Sequence, residues 1–150
     1  MSTILKSARI RYKTHCLGAR KDPKTGIRRF FVKDGKVIPL RRYWEEPFLD
    51  LAKTLFLPED LSVSFGDGFR APQLMLWKRR FNRMRKEEFE IINKGCVITV
   101  PFKMSSASPI TSQDAEKLWK LVSQFYGLSD FGAKFGFGKF ELEELKDINA

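Results

Sequence analysis

The chain has 150 residues, 43% hydrophobic and 31% charged, with a formal net charge of +10 and a pI of about 9.8. That is long enough for one domain, residues 1–150, with a real core, and too apolar for a disordered or fibrous chain. No apolar run approaches the roughly 20 residues of a membrane helix, and the opening residues lack the apolar stretch of a signal peptide, so a soluble cytoplasmic protein without a membrane partner is expected.

Cys16 and Cys96 show no CxxC spacing, and His15 is the one histidine. A disulfide framework and a zinc site both lack ligands, so two buried free thiols, no metal and no cofactor are expected. The charge is uneven. Residues 1–86 hold 21 Lys+Arg against 8 Asp+Glu, and residues 87–150 hold 7 against 10. Such asymmetry points to a polyanion held by the first part of the chain.

In chain order, residues 4–18 alternate. Ala8, Ile10 and Tyr12 fall on one side, and Arg9, Arg11, Lys13 and His15 on the other. This is a half-exposed strand with a basic face. Residues 19–26 are a polar turn segment. In residues 27–40, Asp34-Gly35 between two apolar runs predicts a β-hairpin, decorated by Arg28, Arg29, Lys33, Lys36, Arg41 and Arg42. Trp44, Phe48, Leu51 and Leu55 follow at helical spacing, with Pro47 read as part of the first turn and Pro58 as the stop.

Residues 61–65 alternate as a short strand turned by Gly66 and Gly68. Residues 71–86 are ambiguous. Lys78, Arg79, Arg80, Arg83, Arg85 and Lys86 crowd beside Trp77, Phe81 and Met84, a mixture that suits a single strand of nucleic acid. A helix with Trp77, Phe81 and Met84 on one face and an extended segment fit equally well. Residues 95–103 are a β-branched strand and residues 105–109 a loop. Thr111 and Asp114 have the spacing of a helix-capping pair. A wide helical stripe from Ala115 to Tyr126 then ends at Gly127.

Residues 127–143 hold four glycines, Gly127, Gly132, Gly136 and Gly138, interleaved with phenylalanines and with Lys134 and Lys139. A helix stop accounts for Gly127 alone. Phe140 and Leu142 then alternate as a last strand, with Phe135 or Phe137 as candidate exposed rings.

Strand, hairpin, helix, strand, strand, helix, strand is an α+β order. It matches the ferredoxin-like βαββαβ plan, RRM-like, with an extra β-hairpin after strand 1 and one open face on an antiparallel sheet. Helix two running into Gly-Leu-Ser-Asp-Phe-Gly-Ala-Lys-Phe-Gly-Phe-Gly-Lys-Phe-Glu (127–141) resembles the glycine-rich signature of the RAMP superfamily. These are the RNA-binding subunits of CRISPR effector complexes and their stand-alone viral or mobile-element relatives. Asp34-Gly-Lys-Val-Ile-Pro39 before helix one is similar to an opening motif of the family's backbone subunits, although Leu40-Arg-Arg-Tyr-Trp44 replaces the small-residue motif that usually follows.

The resemblance implies RNA or single-stranded nucleic-acid binding through backbone contacts, with other subunits of a ribonucleoprotein or further copies of the chain as neighbours. It places Gly132, Lys134, Gly136 and Gly138 at the strand. Charge adds Arg9, Arg11, Lys13, Arg28, Arg29, Lys78, Arg79, Arg80, Arg83 and Arg85. Some relatives cleave RNA without metal, for which His15 is the candidate acid or base here. Others use an aspartate in a loop after the first strand, where Asp22 lies. The expectation is a binding module rather than an enzyme. A protein that docks on or inhibits a host complex is the third alternative.

Overall fold

The structure, a computed structural model, describes residues 2–80 and 85–148. In chain order it holds β1 (Ser2–Tyr12), β2 (Cys16–Leu17), β3 (Arg20–Lys21), β4 (Arg28–Arg29), β5 (Phe31–Lys33) and β6 (Lys36–Ile38), then α1 (Arg41–Thr54). After α1 come β7 (Ser62–Ser64), β8 (Phe69–Arg70), β9 (Leu74–Arg79), β10 (Glu87–Ile92), β11 (Val97–Ser106), α2 (Ser112–Phe125), a 3-10 turn at Ala133–Phe135, and β12 (Phe140–Asp147).

The central sheet has the order β12-β1-β11-β7, and all its pairings are antiparallel. The alternation read in the first strand decides which face is buried. Ile4, Ala8, Ile10 and Tyr12 of β1 and Ile98, Val100, Phe102 and Met104 of β11 are buried, together with Trp44 and Phe48 of α1 and Leu118, Trp119 and Val122 of α2. Trp119 sits at the centre, its ring 4.9 Å from Phe48 and 5.1 Å from Phe102. Full burial of each such side chain is worth roughly 1.5–3 kcal/mol. The fold is therefore α+β with two helices and several antiparallel sheets among the described residues, compatible with a ferredoxin-like plan.

The local signals explain most elements. Asp34 and Gly35, at φ 52° and 74°, form the primed turn of the β5–β6 hairpin. Thr111 and Asp114 make a reciprocal capping box at the start of α2.

Several expectations need correction. Pro47 lies well inside α1, not in its first turn. It has no N–H to give to the Tyr43 carbonyl, and the helix tolerates this because Tyr43 is exposed. Residues 105 and 106 belong to β11, since they pair with Thr3 and Ser2. Residues 74–79 are extended, because β10 supplies a partner that the sequence reading did not detect. Phe81, Arg83 and Met84 lie outside the described residues.

Between β1 and α1 there is more than one hairpin. β2, β3 and β4 join β9 and β10 in a second, five-stranded sheet, in which β4 touches β10 by a single parallel pair. β5, β6 and β8 make a third sheet. Cys16 is buried, whereas Cys96 is only half-buried.

Candidate functional site

The glycine-rich segment is a tight loop laced to the end of β1. Gly127 takes a φ of +105° and gives its N–H to Val122 O, closing α2. Leu128 N then donates to Gly138 O at 2.9 Å, so the two arms of the loop run back to back. A Cβ on Gly138 would stand 2.5 Å from Leu128 O. Gly132 and Gly136 cap the 3-10 turn in left-handed conformations.

From the β1 side, Thr14 Oγ1 donates to Gly136 O at 2.8 Å and accepts from Lys139 N at 2.9 Å. Lys13 N donates to Lys139 O, and Gly138 N donates to His15 O. The amides of Gly136 and Gly138 are thus already used within the fold.

Two surfaces flank this loop. On one side a cleft of about 860 Å³ opens between α1, the end of α2 and the loop. Tyr43, Glu46, Pro47 and Asp50 of α1, spaced i, i+3, i+4, i+7, form one wall. Gly132, Lys134, Gly136 and Lys139 form the other, and Phe125, Tyr126, Phe131 and Phe135 also line it. Tyr43 is 49% exposed, Phe125 65% and Phe135 50%. Burial raises the pKa of the Tyr126 hydroxyl, helped by the charges of Asp50 and Glu46 beside it.

On the other side, β9 and β10 pack their Trp77–Phe89 pair over the loop. The Trp77 ring lies 5.1 Å from His15 and 5.7 Å from Phe137, and the Arg79 guanidinium is 5.1 Å from the centre of the Phe137 ring. Phe137 is itself buried, which leaves Phe135 as the exposed phenylalanine of the loop.

His15 Nδ1 accepts the Lys94 N–H at 3.1 Å. Burial, and then the Lys94 charge, lower its pKa. The lone pair a general base would use is therefore occupied, and His15 offers Nε2–H as a donor.

The structure separates the basic residues expected at the site. Lys13 is exposed beside the loop, and Lys134 and Lys139 line the cleft, with no ion pair to any of the three among the described residues. Arg79 reaches the loop from β9, and Arg80 is exposed just beyond β9. Lys78 and Arg85 line a separate groove of about 370 Å³ with Lys21 and Lys86.

Arg9 and Arg11 lie on the open face of the central sheet, where Glu143 pairs with both at 3.3 and 2.9 Å and Glu144 holds Arg9 at 3.1 Å. That face carries no aromatic side chain among the described residues of its strands. Arg28 is paired with Glu87 and Arg29 with Glu90 and Asp22. These four arginines are not brought to the loop as unpaired charge. Arg83 is outside the described residues.

Sequence reasoning missed Lys94, which a turn sets against His15, and the whole α1 wall of the cleft. The signal for that wall was present. Tyr43, Glu46 and Asp50 form a second helical stripe beside the apolar one, but polar residues at that spacing look like any solvated face. Among the described residues no group of His, Cys, Asp and Glu converges to hold a metal, and no helix is long and apolar enough to cross a membrane.

No protein-family model matches the chain, and no curated protein matches it. Its fold is similar to that of a chain in the cryo-EM structure of the type III-B Cmr-beta bound to cognate target RNA. The TM-score is 0.54 at 12% identity, with 98% of this chain covered and 61% of that one. The chain thus spans less than two thirds of the length of the structure it resembles.

Proposed function

We propose that the chain is a non-catalytic nucleic-acid-binding protein of the RAMP kind. It holds RNA or another single strand across the glycine-rich loop, from the α1 cleft to the Trp77–Arg79 patch. The order β12-β1-β11-β7, with β1 and β11 in the middle and β12 and β7 at the edges, supports a βαββαβ reading of the central sheet. The likeness to a chain in a structure bound to target RNA supports RNA as the strand; a cytoplasmic place beside other ribonucleoprotein subunits belongs to the same proposal.

One observation carries the proposal. Lysines without an ion pair among the described residues, Lys13, Lys94, Lys134 and Lys139, gather round one aromatic-lined loop, whereas Arg9, Arg11, Arg28 and Arg29 are paired. Unpaired cations attract phosphates, and rings stack with unpaired bases.

The test is retardation of labelled single-stranded RNA over a salt series. Affinity is expected to fall linearly with log salt. Lys134→Ala with Lys139→Ala is expected to flatten the log–log slope by about 1.4, from about 0.7 per phosphate contact. RNA that runs free at low salt with the wild-type protein refutes the proposal.

A further inference from the structure

The α1 cleft is polarised, and this bears on which base it would take if the loop carries a strand as proposed. The α1 wall carries acceptors beside one cation, Arg42. The Glu46 and Asp50 carboxylates project from α1, and Pro47 leaves the Tyr43 carbonyl without its helical donor. Glu46 does meet Arg42, at 3.7 Å, but both side chains are more than half exposed, so the pairing is weak and leaves the carboxylate available. The facing wall presents Lys134 and Lys139. The exposed rings of Tyr43, Phe125 and Phe135 complete the cavity, and about 860 Å³ is ample for a nucleotide.

A phosphate alone would meet Lys134 and Lys139 but leave the Glu46 and Asp50 carboxylates unused. A ligand with an anion at one end, a flat ring and N–H donors at the other satisfies every part of the cleft. We infer that the cleft takes one unstacked base of the bound strand, with its phosphate toward Lys134 and Lys139 and its amino-bearing edge toward Glu46 and Asp50, so that cytosine is preferred to uracil. Cytosine turns its N4 amino group to the carboxylates, which accept from it. Uracil in the same pose sets O4 where cytosine sets its N4 amino group, so two acceptors face each other there and only N3–H is left to donate.

The experiment measures fluorescence anisotropy of the full chain with labelled oligo(C) and oligo(U) RNA of equal length at one low salt concentration. Oligo(C) is expected to bind about tenfold more tightly, the scale of one good base-edge contact. Glu46→Gln with Asp50→Asn is expected to bring the ratio toward one by weakening oligo(C) alone. Both positions are exposed, and circular dichroism checks that the helix persists. Glu46→Gln by itself, expected to lower the ratio in part, serves if the pair does not fold. Tyr43→Ala is expected to weaken both oligomers. Equal wild-type affinities, or a ratio unmoved by the carboxylate variants, overturn the base pocket while leaving strand binding in place. If neither oligomer binds, strand binding itself is refuted, and the pocket with it.

Discussion

At the scale of single residues, Asp130 joins the glycine-rich loop to α1. The helix starts at Leu40 without a side-chain cap and with no acidic residue in its first turn. Asp130 Oδ1 accepts the Leu40 N–H at 3.0 Å, doing from 90 residues away what a capping-box carboxylate does locally. Its other oxygen, Oδ2, has no partner in hydrogen-bond geometry among the described residues, and nor does the Trp44 indole Nε1. Burial pushes the Asp130 carboxyl up to about 6, against the pull of the Leu40 N–H, the Trp44 side chain and the Arg20 charge. The folded chain therefore binds this proton more tightly than the unfolded chain, whose carboxyl stays near 3.8. The resulting stability is present below about pH 4 and is lost as pH rises through about 6. Asp130→Asn keeps an acceptor for Leu40 and removes the charge. The variant is expected to match the wild type at pH 4 and to exceed it by up to about 3 kcal/mol at pH 7, read from urea unfolding at the two pH values. A gap that does not grow with pH refutes this account.

At the scale of elements, the loop depends on close backbone approach as much as on turns. Gly138 and Gly136 both have positive φ, but a Cβ on Gly138 meets Leu128 backbone atoms at 2.5 and 2.7 Å, whereas a Cβ on Gly136 meets open space. Gly136→Ala is expected to cost about 1–2 kcal/mol, the strain of the backbone alone. Gly138→Ala is expected to cost more, about 3–4 kcal/mol, because the two arms must part. Urea midpoints compare the two, and equal costs would show that the arms give way freely. This distinction separates a glycine kept for packing from one kept for its turn, and the residue pattern alone shows no difference between them.

At the scale of the whole molecule, the excess positive charge is sorted by pairing. Glu143 and Glu144 of β12 neutralise Arg9 and Arg11 across the open sheet face, and Glu87 and Glu90 of β10 do the same for Arg28 and Arg29. Such half-exposed pairs are worth little in stability, on the order of 0–1 kcal/mol each. Their larger effect is to decide where free charge remains. Arg9→Ala with Arg11→Ala is expected to leave RNA affinity within about twofold of wild type, since each cation already has its carboxylate. A loss as large as that from Lys134→Ala with Lys139→Ala, in the same retardation assay, would move the interface to the open sheet face.

What the sequence determined by itself was whatever depends on neighbours along the chain. Alternation at Ala8, Ile10 and Tyr12 made a strand, Asp34-Gly35 made a hairpin, Thr111 and Asp114 capped a helix, and the glycines after Tyr126 marked the loop. These are local steric and hydrogen-bonding preferences, and they are legible at short range. Only the tertiary structure decided which partner each segment found. Whether residues 74–79 were helix or strand waited on β10, because an extended backbone needs an edge to pair with. Whether Arg11 was a free cation waited on Glu143, 132 positions away. The cleft wall of Tyr43, Glu46 and Asp50 became a surface of interest only when Lys134 and Lys139 were folded opposite it. A charge acts through what stands within a few ångströms of it, and for these residues that neighbour lies far along the chain.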